Sequence, residues 1–272
     1  MGSIVARIWR RLRGPQDSPR PWSPYGLRGP AVPHLSLNEK EFRNRRLFIV
    51  GDVHGCYDEL TKLLNIADAT QPNVQVIFVG DLINKGPKNV ECVELARRIG
   101  ALAVRGNHDE VALSVLQKTR VMGGSLPTQM QWLGDLSEES ERWLLELPYT
   151  IHIPWLNSLV VHAGLVPGTP LCQQSTDHMI HVRNLIWDEA RGTYDAISRT
   201  DEGRAWAGTW PGPMHVFFGH DARRRLQREA YATGLDTGCV YGGELSGMFI
   251  DGDDVRTAEV LSVPAISTHR KP

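Results

Sequence analysis

The stretch LFIVGDVHG, residues 47–55, decides the predicted fold. Its first four residues are apolar, as expected for a buried β-strand, and Gly51 ends that strand. Asp52 and His54 follow two residues apart, so on an extended segment both side chains point to the same side. A buried strand, a glycine turn and two potential metal ligands together predict a site at the end of this strand.

Strands and helices alternate along the chain after residue 46, which is typical of an α/β (α+β) protein. The first half has predicted strands over 47–50, 74–79 and 101–104, and predicted helices over 57–67, 89–99 and 109–118. The second half has predicted strands over 149–153, 159–161, 215–218, 245–250 and 255–260, the last of them after a turn at 251–254. The segments 121–136 and 193–213, which carry Gly, Trp and Pro, are interpreted as loops or caps.

Polar residues follow four more of these apolar runs, in GD at 80–81, GNHD at 106–109, HAG at 162–164 and GHD at 219–221. Because the carboxyl ends of parallel strands meet at one edge of a sheet, we expect the polar side chains to converge there. The candidate metal ligands are Asp52, His54, Asp81, Asn107, His162 and His220. Asp81 could bridge two cations, and mixed oxygen and imidazole ligands favour Mn, Fe, Zn or Co over Ca.

A pair of divalent cations about 3.5–4 Å apart lowers the pKa of a bound water and stabilises both oxygens of a phosphoryl transfer. His108 directly follows Asn107, so it could sit over such a centre as the general acid for the leaving oxygen. Either Asp109 or Asp52 could orient the His108 ring, and the sequence does not decide between them.

The composition excludes several classes of protein. The chain has 272 residues, 41% apolar and 22% charged, and no apolar run approaches the roughly 18 residues of a membrane span. Four scattered cysteines without a CxxC pair argue against a disulfide framework, a zinc ribbon or a thioredoxin-type site. Reduced thiols predict a cytoplasmic location. We interpret Cys239 as a buried small residue, and His178 and His181 as structural residues.

The N-terminal segment differs from the rest of the chain in charge. Residues 1–46 carry ten Lys or Arg against three acids, a net charge of +7, so the remaining chain has −8. Residues 1–33 are predicted to form a mobile Pro/Arg-rich leader, and 34–272 a single domain. The start of the leader also permits a mitochondrial transit helix. Because the leader contributes no predicted ligand, its removal is expected to leave hydrolysis of a small anhydride unchanged.

At these motifs the chain resembles the calcineurin-like metallophosphoesterases of the phosphoprotein phosphatase superfamily, from about residue 46 to 261. The resemblance is carried by GDVHG at 51–55, GDLINKG at 80–86, GNHDE at 106–110 and HAG at 162–164. It implies a central β-sandwich flanked by helices, two metal ions and direct hydrolysis by a metal-bridging hydroxide. Manganese is the first expectation, with Mg, Co, Zn or Fe as alternatives. The ligands it implies are Asp52, His54 and Asp81 for one ion and Asp81, Asn107, His162 and His220 for the other, with His108 as the proton donor.

The second motif, together with GHDARRRLQ at 219–227 and TGLDTGCVYGGEL at 233–245, is similar to the ApaH-like phosphatases. Ser/Thr protein phosphatases and the bacterial hydrolase ApaH carry arginine where this chain has Lys85, and protein phosphatases carry aspartate in place of Asn84. His108 would therefore lack an ion-pair partner at Asn84. The resemblance implies hydrolysis of phosphoanhydrides in capped RNA, as in mRNA decapping, in nucleoside or dinucleoside polyphosphates, or in inorganic polyphosphate.

Cationic side chains near the predicted ligands are candidates to hold the phosphates of a substrate. The candidate substrate-binding residues are Asn84, Lys85, Arg183, Arg223, Arg224 and Arg225, with Arg228 close by in the sequence. The expected partner is a phosphate-rich small molecule or an RNA 5′ end, without a membrane. Two alternatives stay open, namely a Ser/Thr protein phosphatase and a non-catalytic RNA-binding module led by the basic leader.

Overall fold

The computed structural model describes residues 20, 22–250, 255 and 258–271, and its strands form three sheets. The strands are β1 (His34–Ser36), β2 (Arg46–Val50), β3 (Val74–Phe78), β4 (Leu102–Ala103), β5 (Thr150–Ile153), β6 (Ser158–Val161), β7 (Asn184–Asp188), β8 (Thr193–Ile197), β9 (Arg204–Ala205), β10 (His215–Phe218), β11 (Gln227–Arg228), β12 (Ala232–Gly234), β13 (Glu244–Phe249) and β14 (Val260–Pro264).

The α-helices of the described residues lie between and outside these strands. They are α1 (Glu39–Phe42), α2 (Tyr57–Ile66), α3 (Asn89–Arg98), α4 (Asn107–Met122), α5 (Glu138–Leu145), α6 (Thr176–His181) and α7 (Trp206–Thr209). Short 3-10 helices span Thr128–Asp135, Pro154–Leu156 and Leu171–Gln173. In the part of the chain that the structure describes, no helix combines the length and the apolar character needed to cross a membrane.

The five-stranded sheet has the order β14-β13-β2-β3-β4, and β2, β3 and β4 run parallel. Strands β2 and β3 are buried on both faces because their side chains alternate between two apolar cores. Phe48 and Val50 of β2 face helices α2 and α3, whereas Leu47 and Ile49 face the second large sheet. The predicted β-α-β-α-β-α order is therefore confirmed for the first half of the chain.

The six-stranded sheet has the order β1-β5-β6-β10-β12-β11, with β6, β10 and β12 parallel. Val160 of β6 and Phe217 of β10 pack in one core with Ile49 and Ile77 of the other sheet, so the two sheets lie face to face. Helices cover the outer faces. This arrangement confirms the predicted α/β fold with a β-sandwich flanked by helices.

A third sheet, with the order β8-β7-β9, occupies much of a region that we interpreted as loops or caps. Strands β7 and β8 form an antiparallel hairpin that turns through Gly192, whose φ is 63°. Strand β8 was missed because it is half-buried and mixes polar with apolar residues, whereas β7 carries the apolar residues 185–187, to which we assigned no strand. The segment 121–136 likewise contains the last residues of α4 and a 3-10 helix.

The last strand, β14, lies further along the chain than predicted. It spans Val260–Pro264 instead of 255–260, and pairs antiparallel with β13 through Val260 opposite Met248 and Val263 opposite Leu245. The predicted turn at 251–254 lies outside the described residues.

Residues 22–33 of the predicted leader pack against the domain. Leu27 is buried, and the Ser23 hydroxyl donates a 2.8 Å hydrogen bond to the buried carboxylate of Glu110. The Tyr25 carbonyl accepts from the Ser114 hydroxyl, and the carbonyl of Pro33 accepts from the Tyr149 N–H. The predicted boundary at residue 33 therefore lies within a segment that packs against the domain. Residues 1–19 and 21 lie outside the described residues.

Candidate active site

The six predicted ligands lie at the carboxyl ends of five strands. Asp52 and His54 follow β2, Asp81 follows β3, and Asn107 begins helix α4 directly after the end of β4. His162 and His220 follow β6 and β10 of the six-stranded sheet. The five-stranded sheet therefore supplies four of these side chains and the six-stranded sheet supplies two. All of them except Asn107 are buried.

Asp52, His54 and Asp81 form the first cluster, with a donor atom of each within 4.8 Å of the others. Nε2 of His54 lies 3.5 Å from Oδ2 of Asp81 and 4.0 Å from Oδ2 of Asp52. On the opposite side of the ring, Nδ1 of His54 is 3.4 Å from the Ile83 carbonyl oxygen. The structure thus brings together the three residues predicted to hold the first cation.

Asp81, His162 and His220 form the second cluster, which shares Asp81 with the first. Nε2 of His162 lies 3.5 Å from Oδ1 of Asp81. Oδ1 of Asn107 is 3.0 Å from Nε2 of His162 and 3.1 Å from Nδ1 of His220. All four residues predicted for the second cation therefore lie together, with Asp81 between the two clusters.

Backbone carbonyl groups fix the tautomers of both histidines in the second cluster. Nδ1–H of His162 donates to the Val79 carbonyl at 2.9 Å, and Nε2–H of His220 donates to the His181 carbonyl at 3.1 Å. The remaining nitrogen of each neutral ring then carries a lone pair directed at Asn107. Such outer contacts orient imidazole ligands in metal sites.

Two glycines give the carboxylates their space. A Cβ at Gly106 would overlap Oδ1 of Asp81, and a Cβ at Gly219 would overlap Oδ1 of Asp52. The backbone N–H of His220, the residue after Gly219, donates to both carboxylate oxygens of Asp52, at 3.1 and 3.2 Å. These contacts support the prediction that glycine beside the ligands permits close approach of the backbone.

The backbone is left-handed at several of these positions. Residues with positive φ other than glycine include His54 at 49°, Asp81 at 48°, Asn84 at 78°, Lys85 at 73° and His220 at 68°. This conformation is uncommon for residues with a side chain and costs about 1–3 kcal/mol each. Its concentration at the strand ends identifies them as a functional site.

The site concentrates negative charge that calls for cations. Asp52, Asp81 and Asp236 are all buried around one pocket. Burial, Asp236 and Asp81 raise the pKa of Asp52, and burial raises the pKa of Asp236 to about 6. Burial lowers the pKa of His54, His162 and His220, so the three rings are neutral and can bind cations. Buried carboxylates beside neutral imidazoles fit a pair of divalent metal ions.

His108 lies beside the clusters with its ring 5.0 Å from that of His54. Its Nδ1 is 3.2 Å from Nδ2 of Asn84, and the Asn84 Oδ1 accepts a 2.8 Å hydrogen bond from the Lys85 N–H. The second bond orients the amide, so Asn84 donates to Nδ1 and leaves the proton of the neutral ring on Nε2. Burial lowers the pKa of His108 to about 4.

The prediction that Asp109 or Asp52 orients this ring is wrong. The Asp109 carboxylate accepts from the backbone N–H groups of Gly106, Asp81 and Ile83, at 2.9, 2.9 and 3.3 Å. It therefore holds the loops that carry Asp81 and the start of helix α4, rather than His108. Asp52 faces the N–H of His220, because both residues end neighbouring strands of the packed sheets.

Lys85 is placed at the first cluster, as predicted. Its ammonium lies 3.0 Å from Nε2 of His54 and 5.2 Å from the centre of the Tyr241 ring. Lys85 donates to the lone pair on Nε2 of His54, and a cation in the first cluster would bind that same lone pair. Occupation of the first cluster would therefore release the ammonium for another acceptor.

A cavity of about 560 Å³ opens over the clusters. Three of the predicted arginines line it, namely Arg183, Arg223 and Arg225. Arg183 also donates to the carbonyl groups of His220 and Ser198, each at 3.1 Å, so it supports a predicted ligand from outside.

Arg224 does not line this cavity, contrary to prediction. Its guanidinium donates instead to the carboxylate of Asp221 and to Oδ1 of Asn184. The left-handed φ of 56° at Arg225 turns the chain, so neighbouring arginines point in different directions. Arg228 donates to the Ala258 carbonyl and also lies outside the cavity lining.

Three functional features escaped the residue-by-residue reasoning, although a signal existed for two of them. Asp236 and Tyr241 line the cavity and belong to the stretch 233–245 that carried part of the resemblance. The third is His181, whose ring contacts Tyr25 and Asp177 while its carbonyl orients His220. A role performed by a backbone carbonyl group cannot be recognised from the residue type, because every residue has that group.

Two buried carboxylate and imidazole clusters that share one aspartate, at the strand ends of a β-sandwich, define a metallophosphoesterase. The model of the calcineurin-like phosphoesterase family matches residues 45–240, and the chain belongs to that family. Its resemblance to the ApaH-like phosphatases is confirmed by relatives and by a solved structure. The chain is thus a hydrolase of phosphoanhydrides or phosphoesters.

Two curated relatives cover most of the chain. The symmetrical bis(5′-nucleosyl)-tetraphosphatase of Janthinobacterium sp. strain Marseille is 28% identical over 276 residues, with 83% of this chain and 98% of the relative covered. Serine/threonine-protein phosphatase 1 of Salmonella typhimurium strain LT2 is 28% identical over 212 residues, covering 74% of this chain and 90% of the relative.

One solved structure is more similar to this chain in sequence. A crystal structure described as that of a candidate diadenosine tetraphosphatase is 38% identical, with a TM-score of 0.73. The alignment covers 86% of this chain and 98% of that chain. Fold and sequence therefore agree over nearly the whole described domain.

Proposed function

We propose that this protein hydrolyses a phosphoanhydride bond within a chain of phosphates, as in nucleoside or dinucleoside polyphosphates. Capped RNA 5′ ends and inorganic polyphosphate contain the same bond and belong to the same substrate class. The observation that supports the proposal is the wall of the cavity, where Lys85, Arg183, Arg223 and Arg225 accompany the two clusters. A chain of phosphates that begins at the clusters can extend toward these cations, and each further phosphate adds oxygens that they can bind.

The two clusters supply the sites for the metal ions that the family implies. Asp52, His54 and Asp81 would hold one divalent cation, and Asp81, Asn107, His162 and His220 the other. When bound, such a pair polarises the phosphoryl oxygens and lowers the pKa of a water to near neutrality. We propose Mn²⁺ as the first cation to test, because mixed oxygen and imidazole ligands suit it.

His108 provides the proton for the leaving oxygen in this proposal. The amide of Asn84 occupies Nδ1 of the ring, so the neutral tautomer presents Nε2–H as a donor. A general acid positioned in this way contributes about 10²–10⁴-fold to the rate. In this neutral form Nε2–H donates a hydrogen bond to the leaving oxygen, and full transfer of a proton requires the ring to be protonated on both nitrogens.

The exposed arginines act on the phosphates that do not react. Arg223 and Arg225 are exposed at the cavity rim, where a guanidinium can bind two oxygens of one phosphate. Lys85 lies deeper, next to His54, and acts as a point charge. Cationic side chains therefore lie both beside the clusters and at the cavity rim. This arrangement favours a substrate with several consecutive phosphates.

The test compares substrates of different phosphate length with Mn²⁺-loaded protein. We expect turnover of diadenosine tetraphosphate, a cap analogue or polyphosphate, and little turnover of phosphopeptides. Arg223→Ala and Arg225→Ala should each raise the KM for the chain substrates about tenfold, since hydrogen bonds to charged groups contribute about 1.5–3 kcal/mol. Arg228→Ala is the matched control, because it removes the same charge outside the cavity lining.

The same assay decides the alternatives. Efficient turnover of phosphopeptides without turnover of any anhydride would replace the proposal with a protein phosphatase. A folded protein that hydrolyses neither class and holds fewer than two cations would support a non-catalytic binding module. Equal increases in KM for Arg223→Ala and Arg228→Ala would show that the cavity wall does not bind the substrate.

A further inference from the structure

A second group of potential metal ligands lies behind the candidate active site. It consists of Cys56, Glu59 and Cys239, all buried, with a donor atom of each within 4.8 Å of the others. None of these residues belongs to either cluster of the candidate active site. Cys56 precedes the first residue of helix α2, Glu59 lies in the first turn of that helix, and Cys239 lies between β12 and β13.

The buried carboxylate of Glu59 is unusual in these surroundings. The described contacts of its Oε1 are a 2.9 Å hydrogen bond from the Ile266 N–H and a 4.0 Å approach of Nε2 of His269. A carboxylate that faces two thiols away from water is costly unless a charge compensates it. Two sulfur atoms and one carboxylate oxygen are donors that a divalent metal ion can bring together.

We propose that Cys56, Glu59 and Cys239 form a binding site for a single thiophilic divalent cation of the zinc class. Thiolate ligands select zinc-like ions over the hard cations Mg²⁺ and Mn²⁺. Tetrahedral ligands with Zn–S bonds of about 2.3 Å lie about 3.8 Å apart, so small side-chain movements bring these donors into place. Nε2 of His269 lies 4.0 Å from Oε1 of Glu59 but outside the donor group itself.

A disulfide between the two cysteines explains fewer of the observations. It would use the two sulfur atoms and leave the buried Glu59 without a role. A hydrogen bond with Cys56, together with burial, raises the pKa of Cys239. The raised pKa disfavours the thiolate that attacks an oxidant, and a metal ion bound at this site must displace the same proton.

A cation at this site would connect three segments around the candidate active site. Cys56 lies two residues beyond His54, and Cys239 lies two residues before Tyr241 on the cavity wall. The C-terminal segment joins them, because the N–H groups of His269 and Arg270 both donate to the Val240 carbonyl at 3.0 Å. The inference rests on the donor group itself and not on the proposed hydrolysis.

The experiment uses Cd²⁺ as a probe, because cadmium bound to thiolate has an ultraviolet charge-transfer band. The candidate active site contains no sulfur ligand, so this band reports the second site alone. The full-length protein carries Cys172→Ser, which removes the exposed thiol, and is loaded with Mn²⁺ in the presence of a phosphine reductant. We expect the band to saturate at one equivalent of Cd²⁺ with the intensity of two thiolates, accompanied by proton release.

Cys239→Ser in the same background should lose at least half of the band, whereas Cys92→Ser should retain all of it. Cys92 is the matched control, since it is also buried but lies outside the donor group. If Cys239→Ser does not fold, Glu59→Gln provides the test. It should keep the band but weaken Cd²⁺ binding by at least about tenfold, the loss expected even for residues that only support a ligand.

Three results would overturn the inference. They are no band in the Cys172→Ser protein, an undiminished band in Cys239→Ser, and loss of two free thiols to a disulfide when the reductant is removed, with no uptake of metal. The absorption does not depend on turnover. Failure of the proposed hydrolysis and failure of this site are therefore observed separately.

Discussion

Nδ2 of Asn84 lies 3.2 Å from Nδ1 of His108 and holds the imidazole in the tautomer that presents Nε2–H. The amide cannot turn over without losing the 2.8 Å bond from the Lys85 N–H to its Oδ1. We expected His108 to lack an ion-pair partner at this position, and the structure shows a neutral hydrogen-bond partner there instead. The amide replaces the carboxylate in orientation but not in charge.

Asn84→Leu should lower kcat at least about tenfold and leave KM nearly unchanged, because leucine keeps the volume but cannot fix the tautomer. His108→Ala should lower kcat by about 10²–10⁴-fold with unchanged metal content. Steady-state kinetics with one anhydride substrate measure both effects. A raised KM with normal kcat in Asn84→Leu would instead place Asn84 in contact with the substrate.

His162→Ala should reduce the metal content from two ions per chain to one, since it removes one of the ligands in the second cluster. Elemental analysis of the purified protein measures this change. His152→Ala is the control, because His152 lies on strand β5 and makes a 3.4 Å contact with Ser36 outside the site. Two ions in His162→Ala would show that the second cluster does not bind as assigned.

Gly219→Ala should abolish activity and metal binding, because the added Cβ would overlap the Asp52 carboxylate. Gly134→Ala is the matched substitution, since the nearest atom to its Cβ is 3.8 Å away on Leu126. Metal content and thermal unfolding of the two proteins provide the comparison. A fully active Gly219→Ala protein would mean that Asp52 has room to move.

Removal of residues 1–33 should destabilise the protein and reduce hydrolysis, contrary to our expectation from sequence. The deletion removes buried Leu27 and the hydrogen bond from Ser23 to Glu110. Ser23→Ala alone should cost about 1–3 kcal/mol of unfolding free energy, because it leaves a buried carboxylate with one donor fewer. Urea denaturation measures both proteins.

Removal of residues 1–21 is the control for this deletion, because it keeps Ser23 and Leu27. This shorter deletion should have the stability and activity of the full-length chain. If both deletions unfold at the same urea concentration as the full-length protein, residues 22–33 do not contribute to stability.

Protein stability should fall with decreasing pH through His34. Burial lowers the pKa of His34 from its ordinary value of 6.5. The unfolded chain therefore takes up the proton first, and stability declines as the pH falls below 6.5 until the folded state is also protonated. His34→Gln should make this part of the profile less steep in urea denaturation from pH 8 to 5, and the other buried histidines account for the slope that remains. An identical slope in the variant would assign the dependence to other groups.

The sequence predicts the first half of the fold well because its elements are strongly patterned. The apolar runs at β2 and β3 end at a glycine, and the helices between them have clear periodicity. The six ligands are predictable for the same reason, since each lies within a few residues of a strand end. Strand β8 of the hairpin was missed, because a half-buried strand of mixed polar and apolar residues resembles a loop.

Contacts made through the backbone could not be predicted. Asp109 was assigned to His108 by its position in the sequence, but its carboxylate binds three backbone N–H groups from two loops. Arg224 differs from its neighbours only through the left-handed turn at Arg225. Ser23 and Tyr25 carry no apolar pattern, and their partners Glu110 and His181 are distant in sequence.

The division of the ligands between the two large sheets has a mechanical consequence. Asp52, His54 and Asp81 all extend from one layer, whereas His162 and His220 extend from the other. An ion in the second cluster would therefore cross-link the two sheets of the sandwich. An ion in the first cluster would be held by residues of one sheet alone and would not link them. Removal of the second ion by a chelator should lower the stability of the folded protein, whereas selective removal of the first ion should not.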